Sequence, residues 1–230
     1  KLVFTSSPSV IFGKDDLCGV DEKTQYPREY YSHYAKTKAM AEKLILQANG
    51  KKLATVAIRP HLIYGQGDKN LIPRIIETAK KGKLRRVGCG RNLVDVIYID
   101  NAVDAHLKAL DFLDINSKLA GQSYFIGQEN PVLLWQFIDQ ILHLNNIDPV
   151  RKKVSGKMAF NMGHLLEKTY KLLRINKEPR MTRFVALQLS KSHYFNHQKA
   201  KDDFNYYPIV NTQEGLLRTF YDKSEYENVN

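Results

Sequence analysis

The sequence predicts an α/β fold built on a parallel sheet, and three observations predict it. Two short apolar runs, Leu2 to Phe4 and Leu53 to Ile58, read as buried strands. Between them one helical pattern, Tyr31 to Asn49, is rich in Ala, Lys, Glu and Leu and stops at Asn49-Gly50. Further strand-like and helix-like runs alternate after Arg59-Pro60. A strand, a long helix and a second strand form a βαβ unit, which implies parallel strands.

Taken in order, the first strand stops at Thr5-Ser6-Ser7-Pro8, and Gly13 to Glu29 is polar and reads as a loop. In the first helix Tyr34, Ala41, Leu44, Ile45 and Ala48 recur at three- and four-residue steps and form an apolar stripe. Leu71 to Lys81 is a short helix, Gly82 to Gly90 a basic turn region, Val94 to Ile99 a strand, and Asn101 to Phe112 a helix capped by Asp100. Ser123 to Gly127 is another strand, and Val132 to Leu144 a helix around Trp135. From Lys152 onward the pattern is mostly helical, with Met158, Met162, Leu165, Leu166, Thr169, Leu172 and Leu173 in one stripe. The expected architecture is the last part of a doubly wound sheet, carrying a smaller, mixed and mostly helical lobe.

The composition agrees with a folded domain. Of 230 residues, 43% are hydrophobic and 26% charged, which excludes a disordered tail, a collagen-like fibre and a disulfide scaffold. No apolar run is long enough to span a bilayer. Two cysteines, Cys18 and Cys89, fit a reducing cytoplasm. The net charge of +11 favours anionic partners. The densest basic run, Lys80, Lys81, Lys83, Arg85 and Arg86, has no aromatic residues interleaved, so no nucleic-acid partner is expected. The stripe from Met158 to Leu173, with basic flanks, suits either a peripheral membrane contact or a lid over a substrate pocket.

The chemistry centres on Tyr34-Ala35-Lys36-Thr37-Lys38. Residues four apart on a helix share a face. A phenol alone is a weak acid, and an ammonium beside it favours phenolate, so such a pair can exchange protons with a carbonyl. The hydroxyl cluster Thr5-Ser6-Ser7 stands at the carboxyl end of a buried strand, where open parallel sheets bind ligands. A serine there can hold the substrate oxygen while Tyr34 delivers the proton. His193 and His197 have a metal-compatible spacing, but no third ligand accompanies them and no metal is expected.

Four segments now stand in order: Phe4-Thr5-Ser6-Ser7-Pro8-Ser9-Val10, Tyr34-x-x-x-Lys38, Arg59-Pro60-His61-Leu62-Ile63-Tyr64-Gly65 and Val96-Ile97-Tyr98-Ile99-Asp100-Asn101-Ala102. Together they resemble the extended short-chain dehydrogenase/reductases, and within these the 3β-hydroxysteroid dehydrogenase type. That type includes sterol-carboxylate dehydrogenases and β-keto-acid reductases. Met181-Thr182-Arg183-Phe184 and Ser192-His193-Tyr194-Phe195 are similar to the same subgroup.

The resemblance implies a Rossmann-like domain that binds NAD or NADP, and hydride transfer on a 3-hydroxy or 3-oxo group of a hydrophobic substrate. It implies Tyr34 as acid/base, Lys38 on the nicotinamide ribose, and Ser7, with Ser6 as competitor, on the reacting oxygen. Pro60, His61, Leu62 and Ile63 would lie along the nicotinamide, and Ser9, His61 and Arg91 would contact substrate. Residues 1–65 would be the remaining part of the cofactor domain, with 94–127 interleaving, and 66–230 mainly the substrate lobe.

The chain departs from the family in one respect: it has no G-x-x-G-x-x-G or G-x-G-x-x-G. Gly65-Gln66-Gly67 and Gly88-Cys89-Gly90 are lone pairs that read as turns. By the family's layout, on the order of 100 residues, two βαβ units, should precede Lys1. As it stands the chain is expected to be an inactive fragment. Nucleotide-sugar epimerase or dehydratase activity, and a non-catalytic dinucleotide- or RNA-binding role, are the competing readings. Homodimerisation is left open.

Overall fold

The computed structural model of the chain describes residues 1–177 and 179–221. The end of the expected substrate lobe, 222–230, lies outside the described residues.

The βαβ pattern folds as its spacing requires. Strands β1 (Leu2–Thr5) and β3 (Thr55–Pro60) pair in parallel, Val3 opposite Val56, across helix α1 (His33–Gln47). The third strand of that sheet is β8 (Gln122–Ile126), parallel to β3 with Ile58 opposite Tyr124, which gives the order β1-β3-β8. β3 is central and wholly buried, whereas β1 has one neighbour and is only half-buried, less than its apolar run predicts. Helix α3 (Ile99–Phe112) packs Ala102, Ala105 and Ala109 toward the sheet; alanines let the helix lie close.

A second, four-stranded sheet orders β2-β11-β6-β9 from β2 (Leu17–Val20), β11 (His193–Phe195), β6 (Leu93–Val94) and β9 (Val132–Leu133). β2, Leu-Cys-Gly-Val, lies within the polar stretch that reads as a loop; it is too short and too interrupted by Gly19 to stand out, and the distant β11 completes it. The strand expected over Val94 to Ile99 is two short pieces, β6 and β7 (Ile97–Tyr98), the latter paired with β4 (Ile63–Tyr64). Helix α3 begins at Ile99, so Asp100 lies in its first turn, 3.8 Å from Arg218, rather than at the cap.

The larger apolar core is built around Trp135 and Phe137 of α4 (Leu134–His143), with Tyr64, Ile72 from α2 (Leu71–Lys80) and Ala186. Two short strands, β5 (Arg86–Val87) and β10 (Lys153–Val154), lead into α5 (Gly156–Leu172). Helix α5 packs tightly on α6 (Arg183–Ser190), where a Cβ on Gly163 would sit 2.5 Å from the Thr182 backbone. That approach brings Arg183 to Glu167 at 2.7 Å and seats Phe184 edge-on against Phe12. Helix α7 (Gln198–Phe204) packs on β8 and α3, adding Ala200 and Phe204 to the core of the parallel sheet, and α8 (Thr212–Phe220) packs on β7.

Two helices turn the other way from their sequence patterns. Helix α1 buries Ala35, Ala39 and Glu42, while Tyr34 and Leu44 of the expected stripe face solvent. On α5 the buried residues are Ala159 and Gly163, and the Met158–Leu173 stripe lies outside. In both, small residues let the backbone approach its neighbour, and contact made across a wide helix surface outweighs the apolar side chains left in water.

Candidate active site

The site is built where β1 ends. Ser6 donates its backbone N–H to Ile58 O at 2.7 Å, continuing the ladder one residue past β1. The chain then turns through a single 3-10 turn, Pro8–Val10, capped by Ser7, whose Oγ accepts the Ser9 N–H at 3.2 Å. Pro8 opens the turn because its missing N–H is not needed there. This turn packs against α1, so Ser7 and the Tyr34 helix are neighbours. Ser6 is buried beside the Glu42 carboxylate, and its Oγ makes no regular hydrogen bond. Ser9 Oγ is buried and without a partner among the described residues.

On α1, Tyr34 is 52% exposed and its hydroxyl makes no hydrogen bond among the described residues. Lys38, one turn on, donates from Nζ to Thr5 O at 2.8 Å and lies 5.0 Å from the Phe4 ring centroid. The ammonium is thus pinned at the carboxyl end of β1, as Tyr-x-x-x-Lys spacing beside that strand requires. Thr5 in turn gives its hydroxyl to His106 Nε2 at 2.9 Å, since His106 Nδ1 is committed to Ala102 O.

A second turn along α1, Glu42 anchors the helix to β3. Arg59 Nε and Nη2 donate to its two carboxylate oxygens at 2.9 and 2.6 Å, and the Tyr26 hydroxyl donates at 2.6 Å. Burial pushes the Glu42 carboxyl up, but the Arg59 hydrogen bonds and charge outweigh it and hold the group below its usual range. Burial and the same carboxylate push the Tyr26 phenol up. Sequence reading missed Glu42. The signal was present: Arg59 stands in an apolar strand and needs a counter-ion, and Tyr34, Lys38 and Glu42 fall at successive four-residue steps.

The expected nicotinamide-side segment is the bend from β3 to β4. Pro60 is buried, Ile63 is exposed, and Leu62 adopts φ +43°, a left-handed backbone that a branched side chain resists. His61 is buried and joined to His193, Nε2 to Nδ1 at 2.6 Å. His193 Nε2 faces the Gln188 carbonyl at 2.9 Å and so carries the proton; its Nδ1 therefore accepts from His61 Nε2–H. Burial, and then the adjacent ring, hold His61 well below its ordinary pKa, and burial lowers His193. Both rings are neutral. His197 goes elsewhere, to the buried carboxylate of Asp95 at 2.9 Å, which also accepts the Phe195 N–H.

A family model described as "3-beta hydroxysteroid dehydrogenase/isomerase family" matches residues 1–154. The chain belongs to this family. Its curated relatives include a 2-alkyl-3-oxoalkanoate reductase of Shewanella oneidensis, 44% identical over 226 residues, covering 95% of this chain and 58% of that protein. A sterol-4-alpha-carboxylate 3-dehydrogenase, decarboxylating, of Homo sapiens is 33% identical over 224 residues, 95% of this chain and 60% of that protein. The chain thus spans about three-fifths of the length of these relatives. Among solved structures, UDP-glucuronic acid 4-epimerase from Bacillus cereus in complex with NAD superimposes with TM-score 0.65 at 17% identity, over 98% of this chain and 61% of that one. That likeness shows the fold: an α/β, Rossmann-type arrangement.

Set against the family's pattern, the structure gathers Ser7, Tyr34 and Lys38 around one strand end. The bend Pro60–Ile63 follows β3, the strand beside it. Arg91 stands apart, exposed on the turn after Gly90 with no hydrogen bond or ion pair among the described residues. Gly65-Gln66-Gly67 and Gly88-Cys89-Gly90 are turns, with Gly67, Gly88 and Gly90 near φ +76° to +79°. Two grooves of about 550 Å³ each lie along α5 and beside β8, and neither is lined by Ser7, Tyr34 or Lys38. Of the C-terminal segments, Thr182 caps α6, and His193 and Phe195 tie β11 to His61 and Asp95.

Proposed function

We propose that this chain carries the proton-transfer and substrate-side part of an NAD(P)-dependent oxidoreductase. Its substrate would bear a 3-hydroxy or 3-oxo group on a hydrophobic body, a long-chain acyl or steroid-like molecule. The observation that carries the reading is the free, half-exposed Tyr34 phenol one turn from Lys38, beside the strand end that holds Ser7. The higher identity to the 3-oxoalkanoate reductase than to the sterol dehydrogenase favours a long-chain 3-oxo acid.

The residues present fit the nicotinamide–ribose end of the dinucleotide. Lys38 spends one hydrogen bond on Thr5 O and keeps two N–H groups for ribose hydroxyls. The bend Pro60–Ile63 has the strained backbone common where a chain must approach a ligand closely. No glycine-rich phosphate turn stands in this sequence, so the fit extends to that end alone. When bound, the nicotinamide supplies the hydride chemistry. Tyr34 would give its hydroxyl proton to the substrate oxygen, Lys38 would stabilise the phenolate left behind, and Ser7 would orient the oxygen. Ser9 and His61 are the candidate substrate contacts, the first through its unpartnered hydroxyl.

The test is turnover of long-chain 3-oxo acids and sterol carboxylates by the complete gene product, with a Tyr34→Phe variant. That variant should lose about 10²- to 10⁴-fold in turnover at unchanged circular dichroism. Normal turnover would overturn the reading. A non-catalytic role would want the Tyr34–Lys38 pair buried, and the exposed Tyr34 argues against it. A nucleotide-sugar epimerase would want a diphosphate pocket at Arg91, and the bare, exposed Arg91 turn does not favour one. Free cysteines at Cys18 and Cys89 support a reducing compartment such as the cytoplasm. Self-association and peripheral membrane contact belong to the same proposal.

A further inference from the structure

Lys38 is held from the far side of the sheet. Successive side chains of β1 face opposite sides. Phe4 faces α1, its ring centroid 5.0 Å from Lys38 Nζ, while Val3 packs into the cluster that holds Ala102, Ala105 and Ala109 of α3. Thr5 shares the side of Val3, and its hydroxyl meets His106 of α3 at 2.9 Å. The Thr5 carbonyl takes Lys38 Nζ at 2.8 Å. One residue is therefore gripped by α3 through its side chain and holds α1 through its backbone.

That carbonyl lies on the edge of β1 that β3 does not use. Leu2 and Ser6 give their N–H groups to Ala54 O and Ile58 O. A strand's backbone groups alternate sides, so those of Thr5 point away from β3, and the ladder with β3 does not hold them. His106 is fitted to the task. Its Nδ1 lies 2.7 Å from the Ala102 carbonyl, one turn back along α3. A carbonyl only accepts, so Nδ1 carries the proton and Nε2 presents a lone pair to the Thr5 hydroxyl. Burial lowers the His106 pKa, which keeps that lone pair free at neutral pH.

We infer that His106 is a positioning residue for Lys38. By gripping the Thr5 side chain it sets the carbonyl that anchors the ammonium, and so the direction of the two N–H groups left for the nicotinamide ribose. This role rests on the contact proposed between Lys38 and that ribose. An ammonium on a flexible four-carbon stem has no direction of its own. With Thr5 loose, Lys38 would keep its charge and lose its aim. A histidine that only braced α3 against β1 would affect stability and leave the ribose contact untouched.

The test is binding of NADH or NADPH, whichever the complete gene product takes, beside binding of ADP or its 2′-phosphate. The ADP compound lacks the nicotinamide ribose, so Lys38 does not meet it. His106→Leu and Thr5→Val should each weaken the whole dinucleotide about tenfold, the worth of one misdirected hydrogen bond to a charged group, and leave the ADP compound unchanged. The double variant should lose no more than either single one, since both act through one bond. His106→Gln, whose amide oxygen can accept from Thr5, should restore binding. In the cofactor-free protein, acylation of amines with peptide mass mapping should find Lys38 more reactive in His106→Leu than in the wild type. Lys38→Met separates the two ways of failing. If it weakens the dinucleotide and His106→Leu does not, His106 is only a brace and the Lys38 contact stands. If Lys38→Met leaves dinucleotide binding unchanged, the ribose contact falls and the role of His106 falls with it. Equal losses for the dinucleotide and the ADP compound would also overturn that role, because a damaged fold moves both.

Discussion

Arg59 and His61 stand two residues apart at the end of β3, and the protein buries them by opposite means. Arg59 keeps its charge and is met by a carboxylate on two nitrogens, with the Phe125 ring 4.9 Å from its guanidinium carbon. His61 gives up its charge and passes a hydrogen bond through His193 to a carbonyl. An ion in the interior is tolerable only with its partner in place, and removing that partner strands a charge. A neutral imidazole pair tolerates burial easily but resists a proton. Arg59 and Glu42 hold the helix that carries Tyr34, and the histidines hold the bend that the cofactor would meet. One half of the site is therefore vulnerable to mutation of a charge and the other to acid.

The largest effect should come from Glu42→Ala, which leaves Arg59 charged and buried. It should lose about 3–5 kcal/mol in urea unfolding, and Glu42→Leu with Arg59→Met should recover much of that loss. A Glu42→Ala protein as stable as the wild type would erase the contrast between the two regions.

Next is the acid response. His61 and His193 are held below their ordinary 6.5 in the fold, so below that pH the unfolded chain binds protons that the folded one refuses. Stability is therefore full above pH 6.5 and should fall as pH drops below it, by up to about 1.4 kcal/mol per unit for each histidine. Glu42, lowered from 4.5, contributes stability that is present above 4.5 and lost only at lower pH. A His61→Phe, His193→Leu double variant should reduce the slope between pH 6.5 and 5 to the part that His106, also lowered by burial, contributes, and keep the one below 4.5. If the slope is undiminished, the pair is not its source.

The smallest stability effect belongs to Ser7→Ala, which removes one cap and should cost about 1 kcal/mol or less. Its turnover should nevertheless fall steeply, because the same hydroxyl is proposed to orient the substrate oxygen. Equal, small losses in both measurements would reduce Ser7 to a cap.

Much of this was legible in the chain. The βαβ unit follows from two apolar runs around one helical period, and Tyr34, Lys38 and Ser7 follow from spacing and from the strand end. Other features were hidden for identifiable reasons. The apolar stripes of α1 and α5 do not say which face is covered, because alanine and glycine decide which side of these helices can come closest. β2 carries no strand signal of its own, since its partner is more than 170 residues away. His193-x-x-x-His197 looks like one cluster in sequence, but it separates in space, one ring to His61 and the other to Asp95.

The sequence by itself determined the parallel α/β class, the Tyr-x-x-x-Lys helix beside a serine-bearing strand end, and the excess of positive charge. These rest on local periodicity and residue chemistry, which need no knowledge of distant contacts. Only the tertiary structure decided that Glu42 is buried under Arg59, that His61 leans on His193, and that the apolar stripe of α5 is left exposed. Each of these joins residues far apart in the chain or depends on which face of a helix a neighbour covers. A linear pattern does not carry that information.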